Sequence, residues 1–318
     1  MQKIKVYYHE DLDGIMSSIL YSKLLLDNDY SKVRFDYEGV NYDGSNWQDL
    51  NLKSKEQDQI VVVDYLYNPT CNLWFDHHPT GWGKIVPTEF LGNFDPTGRS
   101  CCEVIFNTPS REKFKDEELI QKIVSEVNMI DYALYPSIDT VYNPKTFGPK
   151  FRMAEMESSD EAYRTELIKM FSQDRSLFYK LLDGYLPWSV EWRFNRTQVK
   201  LEEGYKAFVT VAKEEEGVVF FETVKYHKFD RYFPFRWKPS SKYTTYIRDM
   251  TWIGKGYHVA VSQNPWNIQK KSHSIKTICE SYGGGGHEGV GGIHVNDSIE
   301  KAREIMLEVK EALKNEAA

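Results

Sequence analysis

The stretch QIVVVDY, residues 59–65, constrains the fold more than any other. A continuous β-branched run belongs in a strand buried on both faces, and such strands occur in parallel sheets covered by helices. KIKVYY (3–8) carries a second strand signal. It is followed by DGIMSSILYSKLLL (13–26), with Ile15, Ile19, Leu20 and Leu24 at helical spacing. CNLWFD (71–76) reads as a further strand. Strands alternating with helices imply a parallel sheet with right-handed crossovers. The expected fold class is α/β, an N-terminal parallel-sheet domain followed by a smaller α/β C-terminal domain.

Beyond residue 90 the pattern continues. DPTGRSCCEVIF (95–106) is a loop feeding a helix, and EKFKDEELIQKIVSEVNMID (112–131) is an amphipathic helix ending at Asp131. Residues 136–187 form a polar, proline-punctuated stretch with at least one more helix. VEWRFNRTQVKLEEGYKAFVTVAKEEEG (190–217) reads as a helix running into an acidic turn. Strand signals follow in VVFFETVKY and YHVAVSQ, then a glycine run and a closing helix, DSIEKAREIMLEVKEALKN. The expected organisation is a metal-binding catalytic domain over 1–187, a connector helix over 188–216 and a substrate-binding domain over 217–318.

Composition narrows the class. At 318 residues the chain is long enough for two domains. The four cysteines, Cys71, Cys101, Cys102 and Cys279, form neither a CxxC pair nor a disulfide framework. No apolar run reaches the roughly 18 to 20 residues needed to span a bilayer, and the N-terminus has no signal-peptide profile. A cytoplasmic protein with no membrane partner is expected. The net charge of −7 argues against a long nucleic-acid duplex as partner. It leaves small anionic substrates open, because bound metal ions supply positive charge locally.

Chemistry concentrates at the ends of apolar segments. WFDHHPT places Asp76, His77 and His78 on consecutive positions. A strand would send alternate residues to opposite faces; only a loop just past a strand end lets all three crowd one place. YYHEDLDG adds His9, Asp11 and Asp13, VVVDY adds Asp64 and NMIDYA adds Asp131. Singly, each aspartate has a plain explanation as a turn residue or helix cap, and each histidine as a hydrogen-bonded structural residue. Jointly, three strand ends and one helix end can converge on one sheet edge. Four clustered carboxylates would repel and raise one another's pKa. Two divalent cations would balance Asp11, Asp13, Asp64 and Asp131, with neutral imidazoles from His9 and His77. Mixed carboxylate and imidazole ligands suit Mn²⁺. A pair of ions ~3.5–4 Å apart is the usual arrangement for phosphoryl hydrolysis.

These segments, in this order, resemble the four motifs of the DHH phosphoesterase superfamily. YGGGGHEGVGG (282–292) is similar to the GGGH motif of its DHH-associated C-terminal subdomain, as in nanoRNase-like and RecJ-like members. The resemblance implies an active site in the cleft between two domains, holding two Mn²⁺, with Mg²⁺ or Co²⁺ as substitutes. It implies one ion at His9, Asp11 and Asp64 and another at Asp13, Asp64, His77 and Asp131, with Asp64 shared. His78 would act as the catalytic contact beside the leaving group, and Asp76 would orient an imidazole. The chain departs from the pattern in two places. His9 lies two residues before Asp11 rather than four, and Gln263 or Asn264 stands where a phosphate-binding arginine is expected.

Candidate substrate contacts are less specific. Gly284, Gly285 and Gly286 before His287 form either a hinge or a loop whose amides approach an anion. Residues 225–258 interleave eight Lys/Arg with ten aromatics. That composition suits single-stranded nucleic acid, with Arg236 among the contacts; equally, it suits a β-hairpin whose aromatics pack a core. Arg99 and Ser100 precede a helix, as a phosphate site or a plain cap.

The leading expectation is a Mn²⁺-dependent phosphodiesterase that removes mononucleotides from short single-stranded RNA or DNA, as a monomer or homodimer. Hydrolysis of a small nucleotide (a cyclic or linear dinucleotide, or an adenosine bisphosphate) is the alternative. A non-catalytic nucleotide-binding protein is the third.

Overall fold

A computed structural model describes the chain except residues 29–31, 42–45, 54–55, 82, 86–88, 110–113, 158–159, 269–274, 287 and 318. The first two residues of the expected 112–131 helix, and His287, therefore lie outside the described residues. The chain divides into two compact units, residues 1–135 with 143–195, and residues 136–142 with 196–318.

The first unit is built on β1 (Gln2–His9), α1 (Leu12–Asp27), β2 (Val33–Val40), β3 (Gln59–Val63), β4 (Leu73–Asp76) and β5 (Gly92–Phe94). The strands form a five-stranded sheet in the order β2-β1-β3-β4-β5, with every neighbouring pair parallel. Ile60, Val61, Val62 and Val63 are all buried, as their β-branched run requires of a central strand. Ile15, Ile19, Leu20 and Leu24 of α1 are buried too. The helices α2 (Cys101–Asn107) and α3 (Glu117–Asp131) come next. The stretch 136–187 then resolves into α4 (Ile138–Tyr142), α5 (Phe147–Glu155), α6 (Glu161–Gln173) and α7 (Arg175–Lys180). Of these, α4 belongs to the second unit.

The helix α8 (Trp188–Val211) spans most of the expected 188–216 segment. Its residues to 195 group with the first unit and the remainder with the second. The second unit holds β6 (Lys213–Glu215), β7 (Val218–Glu222), α9 (Phe233–Trp237), β8 (Tyr243–Asp249), β9 (Tyr257–Gln263), α10 (Ile275–Ser281), β10 (Gly285–Gly286), β11 (Val290–Val295) and α11 (Ile299–Ala317). Its sheet runs β10-β11-β9-β8-β7-β6, mixed, with only β7 and β8 parallel. Tyr243, Ile247, Val259, Val261, Ile293 and Val295 share one buried cluster with Ala302, Met306, Val309 and Leu313 of α11. Those helix positions recur every three or four residues, so α11 lays a single apolar stripe on one face of the sheet. Among the described residues no helix is long and apolar enough to cross a membrane. All four cysteines are free.

Candidate metal centre

In the first unit the strand order reverses at β1, since β2 lies on one side of it and β3, β4 and β5 follow on the other. Open α/β sheets place their sites at the carboxyl ends of the strands beside such a reversal. Here those ends carry His9 as the last residue of β1, Asp64 just past β3, and Asp76 as the last residue of β4 with His77 and His78 just past it.

Each ligand candidate is held by its own local structure. Asp11 is the N-cap of α1, accepting from the Gly14 amide at 3.0 Å. Asp13 lies in the first turn of α1, 1% exposed, and accepts from the amides of Cys101 at 2.6 Å and Cys102 at 3.0 Å. The N-terminus of α2 thus receives a carboxylate, where it is electrostatically favoured. His77 sets its Nδ1 3.2 Å from the Gly98 carbonyl, which assigns the ring proton to Nδ1 and leaves the Nε2 lone pair facing the cluster. Nε2 lies 3.2 Å from Asp131 and 3.6 Å from both Asp13 and Asp64. Asp131 is the last residue of α3, a helix end where the macrodipole disfavours an anion and favours a cation. Ser100, the N-cap of α2, donates to Asn128 at 2.6 Å and so ties α2 to the last turn of α3.

Asp64 stands between the two sides. It adopts φ of 56°, in the left-handed region that Asp and Asn tolerate better than other side chains. It is 1% exposed, and neither carboxylate oxygen has a hydrogen-bond partner. Its Oδ2 lies 3.7 Å from His9 and its Oδ1 3.6 Å from His77. Burial, then Asp13, Asp11, Asp131 and Asp76, push its pKa well above the usual carboxylate range. A buried carboxylate without donors, surrounded by others of its kind, is the arrangement a cation relieves. Burial would also raise Asp11, but the adjacent His9 at 2.8 Å and the Gly14 amide outweigh it and hold Asp11 at about 2.

Two ligand groups satisfy metal-binding spacing: His9, Asp11 and Asp64; and Asp13, His77 and Asp131. Asp64 with His77 and His78 makes a third. His78 is nevertheless engaged elsewhere, its Nδ1 2.9 Å from Asp76. Asp76, wholly buried, also accepts from the amides of His77 at 2.9 Å and His78 at 3.3 Å, so one carboxylate shapes the whole turn. Burial alone would lower the pKa of His78, yet Asp76, Asp131 and Asp13 outweigh it and lift the value to about 9. Cys101 and Cys102 lie close by but stay protonated, since burial and Asp13 push both thiols well above their ordinary value. The donor set is therefore oxygen and imidazole nitrogen, which fits Mn²⁺ or a similar divalent ion.

No family model matches the chain, and no curated protein matches it in sequence. Solved structures do. A pGpG-specific phosphodiesterase, PggH from Vibrio cholerae, superposes with a TM-score of 0.69 at 16% identity, over 100% of this chain and 99% of that one. RecJ from Thermus thermophilus, in complex with Mn²⁺, gives 0.61 at 12% identity, over 99% of this chain and 52% of that one. An exopolyphosphatase-related protein from Bacteroides fragilis gives 0.52 at 14% identity, over 99% and 93%. The chain shares the fold of these three proteins.

Within this fold several contacts of the site escape motif reading. Gly81 is one. A Cβ there would sit 2.0 Å from Asp76 Oδ2, so only glycine lets the turn close over that carboxylate. Gly81→Ala is expected to displace Asp76, weaken Mn²⁺ binding about tenfold or more and lower the Tm; an unchanged Mn²⁺ titration would refute this role. Glu10, between His9 and Asp11, is another. Arg164 of α6, 1% exposed, sets Nη2 2.6 Å from it and fixes the β1–α1 loop from behind. None of Gly98, Gly81 and Arg164 bears a sequence signal that separates it from ordinary loop and helix residues.

The remaining sequence expectations fare differently. Arg99, half exposed, is engaged within its own helix turn. Its guanidinium pairs with Glu103, and the first amides of α2 are taken by Asp13, while Ser100 is the plain cap. Arg236 lies over the Tyr205 ring at 4.0 Å and pairs with Glu202 at 2.9 Å, a packed position rather than an open one. The 225–258 strip is not one hairpin, since it contains α9 as well as β8. Most of its aromatics pack inward, as Tyr246 does by stacking on Phe221 of β7 at 4.9 Å. Gly285 and Gly286 pair with Gly292 and Gly291 as strands; a Cβ on Gly284 or Gly286 would strike the Gly292 or Val290 carbonyl, whereas one on Gly285 would meet open space. Asn264 is buried and donates to the Pro239 and Ser241 carbonyls.

Proposed function

We propose that the protein is a Mn²⁺-dependent phosphodiesterase that cleaves mononucleotides from short single-stranded oligonucleotides. The observation that carries this is Asp64, a buried carboxylate with no hydrogen-bond donor, placed between two ligand groups. One ion would be held by His9, Asp11 and Asp64, the other by Asp13, Asp64, His77 and Asp131. When bound, the pair supplies positive charge for a phosphate and lowers the pKa of water toward neutrality.

The chain's own residues do the rest. The Gly98 carbonyl keeps the proton of His77 on Nδ1, so Nε2 remains a ligand. Asp13 is held by two backbone amides and cannot rotate away from the cluster. His78, raised by Asp76, carries a proton on a ring one-third exposed, where it can hydrogen-bond a phosphate oxygen or protonate a leaving oxygen. Gly284, Gly285, Gly286 and His287 are proposed as substrate contacts by resemblance alone.

A second reading, hydrolysis of a linear dinucleotide, is favoured by the end-to-end match with the pGpG phosphodiesterase, against 52% coverage of RecJ. A panel of a pentanucleotide, pGpG, a cyclic dinucleotide and adenosine 3′,5′-bisphosphate decides between them. Mononucleotide release from the linear substrates is expected with Mn²⁺ and not with EDTA. No release from any substrate would overturn the proposal.

A further inference from the structure

The 225–258 strip has two aromatics that do not pack. Tyr226 is fully exposed, and Trp252 is 81% exposed. They flank a single anchor: Lys225 pairs with Asp249 at 2.9 Å, and Asp249 in turn accepts from the Thr251 amide at 3.0 Å. Tyr226 is held there with φ of 66°, a costly conformation for a non-glycine residue. Both rings thus project from one end of the second sheet, where β8 turns into β9.

The same end carries a row of basic side chains. Arg248 on β8 is the register partner of His258 on β9, which is the partner of His294 on β11. Their neighbours Ile247, Val259, Ile293 and Val295 point into the core beneath α11, so the row occupies the other face. The His258 and His294 rings lie 4.9 Å apart. The His258 ring lies over Gly292, where a Cβ would meet Nε2 at 2.2 Å. Among the described residues no carboxylate pairs with Arg248, His258 or His294. Burial first, then His294 and Arg248, push His258 down to about 4, so its ring is a neutral hydrogen-bonding group beside Arg248. At strand spacings of about 4.8 Å the row spans roughly 10 Å, the reach of one or two phosphates.

We propose that this end of the second sheet binds single-stranded oligonucleotide, with Arg248 and His294 on backbone phosphate and Trp252 and Tyr226 stacking on bases. Two features favour this occupant over a protein. An arginine without a carboxylate partner, flanked by two imidazoles and close to exposed aromatics, fits the alternation of phosphate and base along a single strand. In a chain of net charge −7, a cation that no carboxylate neutralises gives an anion a local place to bind away from the metal centre. The inference rests on the phosphodiesterase reading for its ligand class and extends it, since a contact of this kind serves strands longer than a dinucleotide.

The test is binding by the full chain in EDTA, where hydrolysis is blocked. The probes are a fluorescein-labelled pentanucleotide, the same-sequence dinucleotide and inorganic phosphate. The wild type is expected to bind the pentanucleotide more tightly than the dinucleotide. Trp252→Ala and Arg248→Gln should each weaken pentanucleotide binding about tenfold, whereas Trp252→Phe, which keeps a stacking ring, should restore it. Arg248→Gln should also flatten the salt dependence of binding. Equal affinity in wild type, Trp252→Ala and Arg248→Gln overturns the inference, as does no pentanucleotide binding by the wild type; a patch that serves a protein partner gives one of these results. Failure of the phosphodiesterase reading shows separately, as absence of Mn²⁺-dependent cleavage in a protein that still binds the pentanucleotide.

Discussion

Replacing Asp64 with asparagine is expected to raise the Tm in EDTA by a few degrees while lowering Mn²⁺-dependent cleavage at least a thousandfold. Asparagine keeps the shape and tolerates the left-handed backbone at this position, where alanine would add strain. What it removes is a buried carboxylate that receives no donor and faces the charge of Asp13, Asp11, Asp131 and Asp76. Each pKa unit above the ordinary value costs about 1.4 kcal/mol once the group ionises. Each kcal/mol recovered shifts the Tm of a domain this size by about 2–4 °C. The sign with pH follows from proton linkage. Between the ordinary carboxylate range and the raised value, the folded state holds the Asp64 proton and the unfolded state has lost it. Stability therefore falls as pH rises through that window. Asp11 works the other way, stabilising above its ordinary value and losing that contribution only as pH falls toward about 2, so it does not mask the trend from pH 5 to 8. The Tm gap between Asp64→Asn and wild type should widen over that range in EDTA. Mn²⁺ should then close it from the wild-type side, adding about 2.7 kcal/mol at a hundred times its Kd and nothing to the variant. A variant that is less stable than wild type in EDTA, or still stabilised by Mn²⁺, would show that Asp64 is not the shared ligand.

The residues that meet the proposed ions are legible because strand ends are legible. A β-branched run followed by Asp64, and apolar runs followed by Asp13, His77 or Asp131, each mark a place where a sheet or helix delivers a polar group to its edge. Supports are another matter. Cys101 and Cys102 act on Asp13 through backbone amides, Gly98 acts on His77 through its carbonyl, and Gly81 acts by lacking a Cβ. None of these depends on a side chain with chemistry of its own, so only tertiary placement reveals them. The strands β2 and β5 are faint for a different reason. VRFDYEGV lies in a strand of mostly half-buried residues, and β5 is only three residues long. The 225–258 strip is ambiguous by composition. Interleaved aromatics and cations describe equally a sheet with a packed face and a nucleic-acid platform. Phe233, Phe235 and Tyr243 are in the core, while Tyr226 and Trp252 are not.

His78→Gln is expected to lower kcat by about 10²–10⁴ while leaving Mn²⁺ binding intact, because the nitrogen nearest Asp64 is already engaged with Asp76. That separates it from its neighbour: His77→Gln, which removes a proposed ligand nitrogen facing Asp13, Asp64 and Asp131, should lose both. The Asp76 contact fixes the ring with Nδ1 inward, and together with Asp131 and Asp13 it favours the protonated form. On the proposed mechanism, a proton held there would serve the departing oxygen of a nucleotide, which leaves poorly as an alkoxide. A p-nitrophenyl ester of thymidine 5′-phosphate needs no such proton, since p-nitrophenolate leaves readily unprotonated. With that substrate the loss in His78→Gln should shrink to about tenfold. Equal losses on both substrates would rule out proton donation and reduce His78 to a fixed charge beside the phosphate. In either case Asp76→Asn added to His78→Gln should cost little further activity, since the pair acts as one unit.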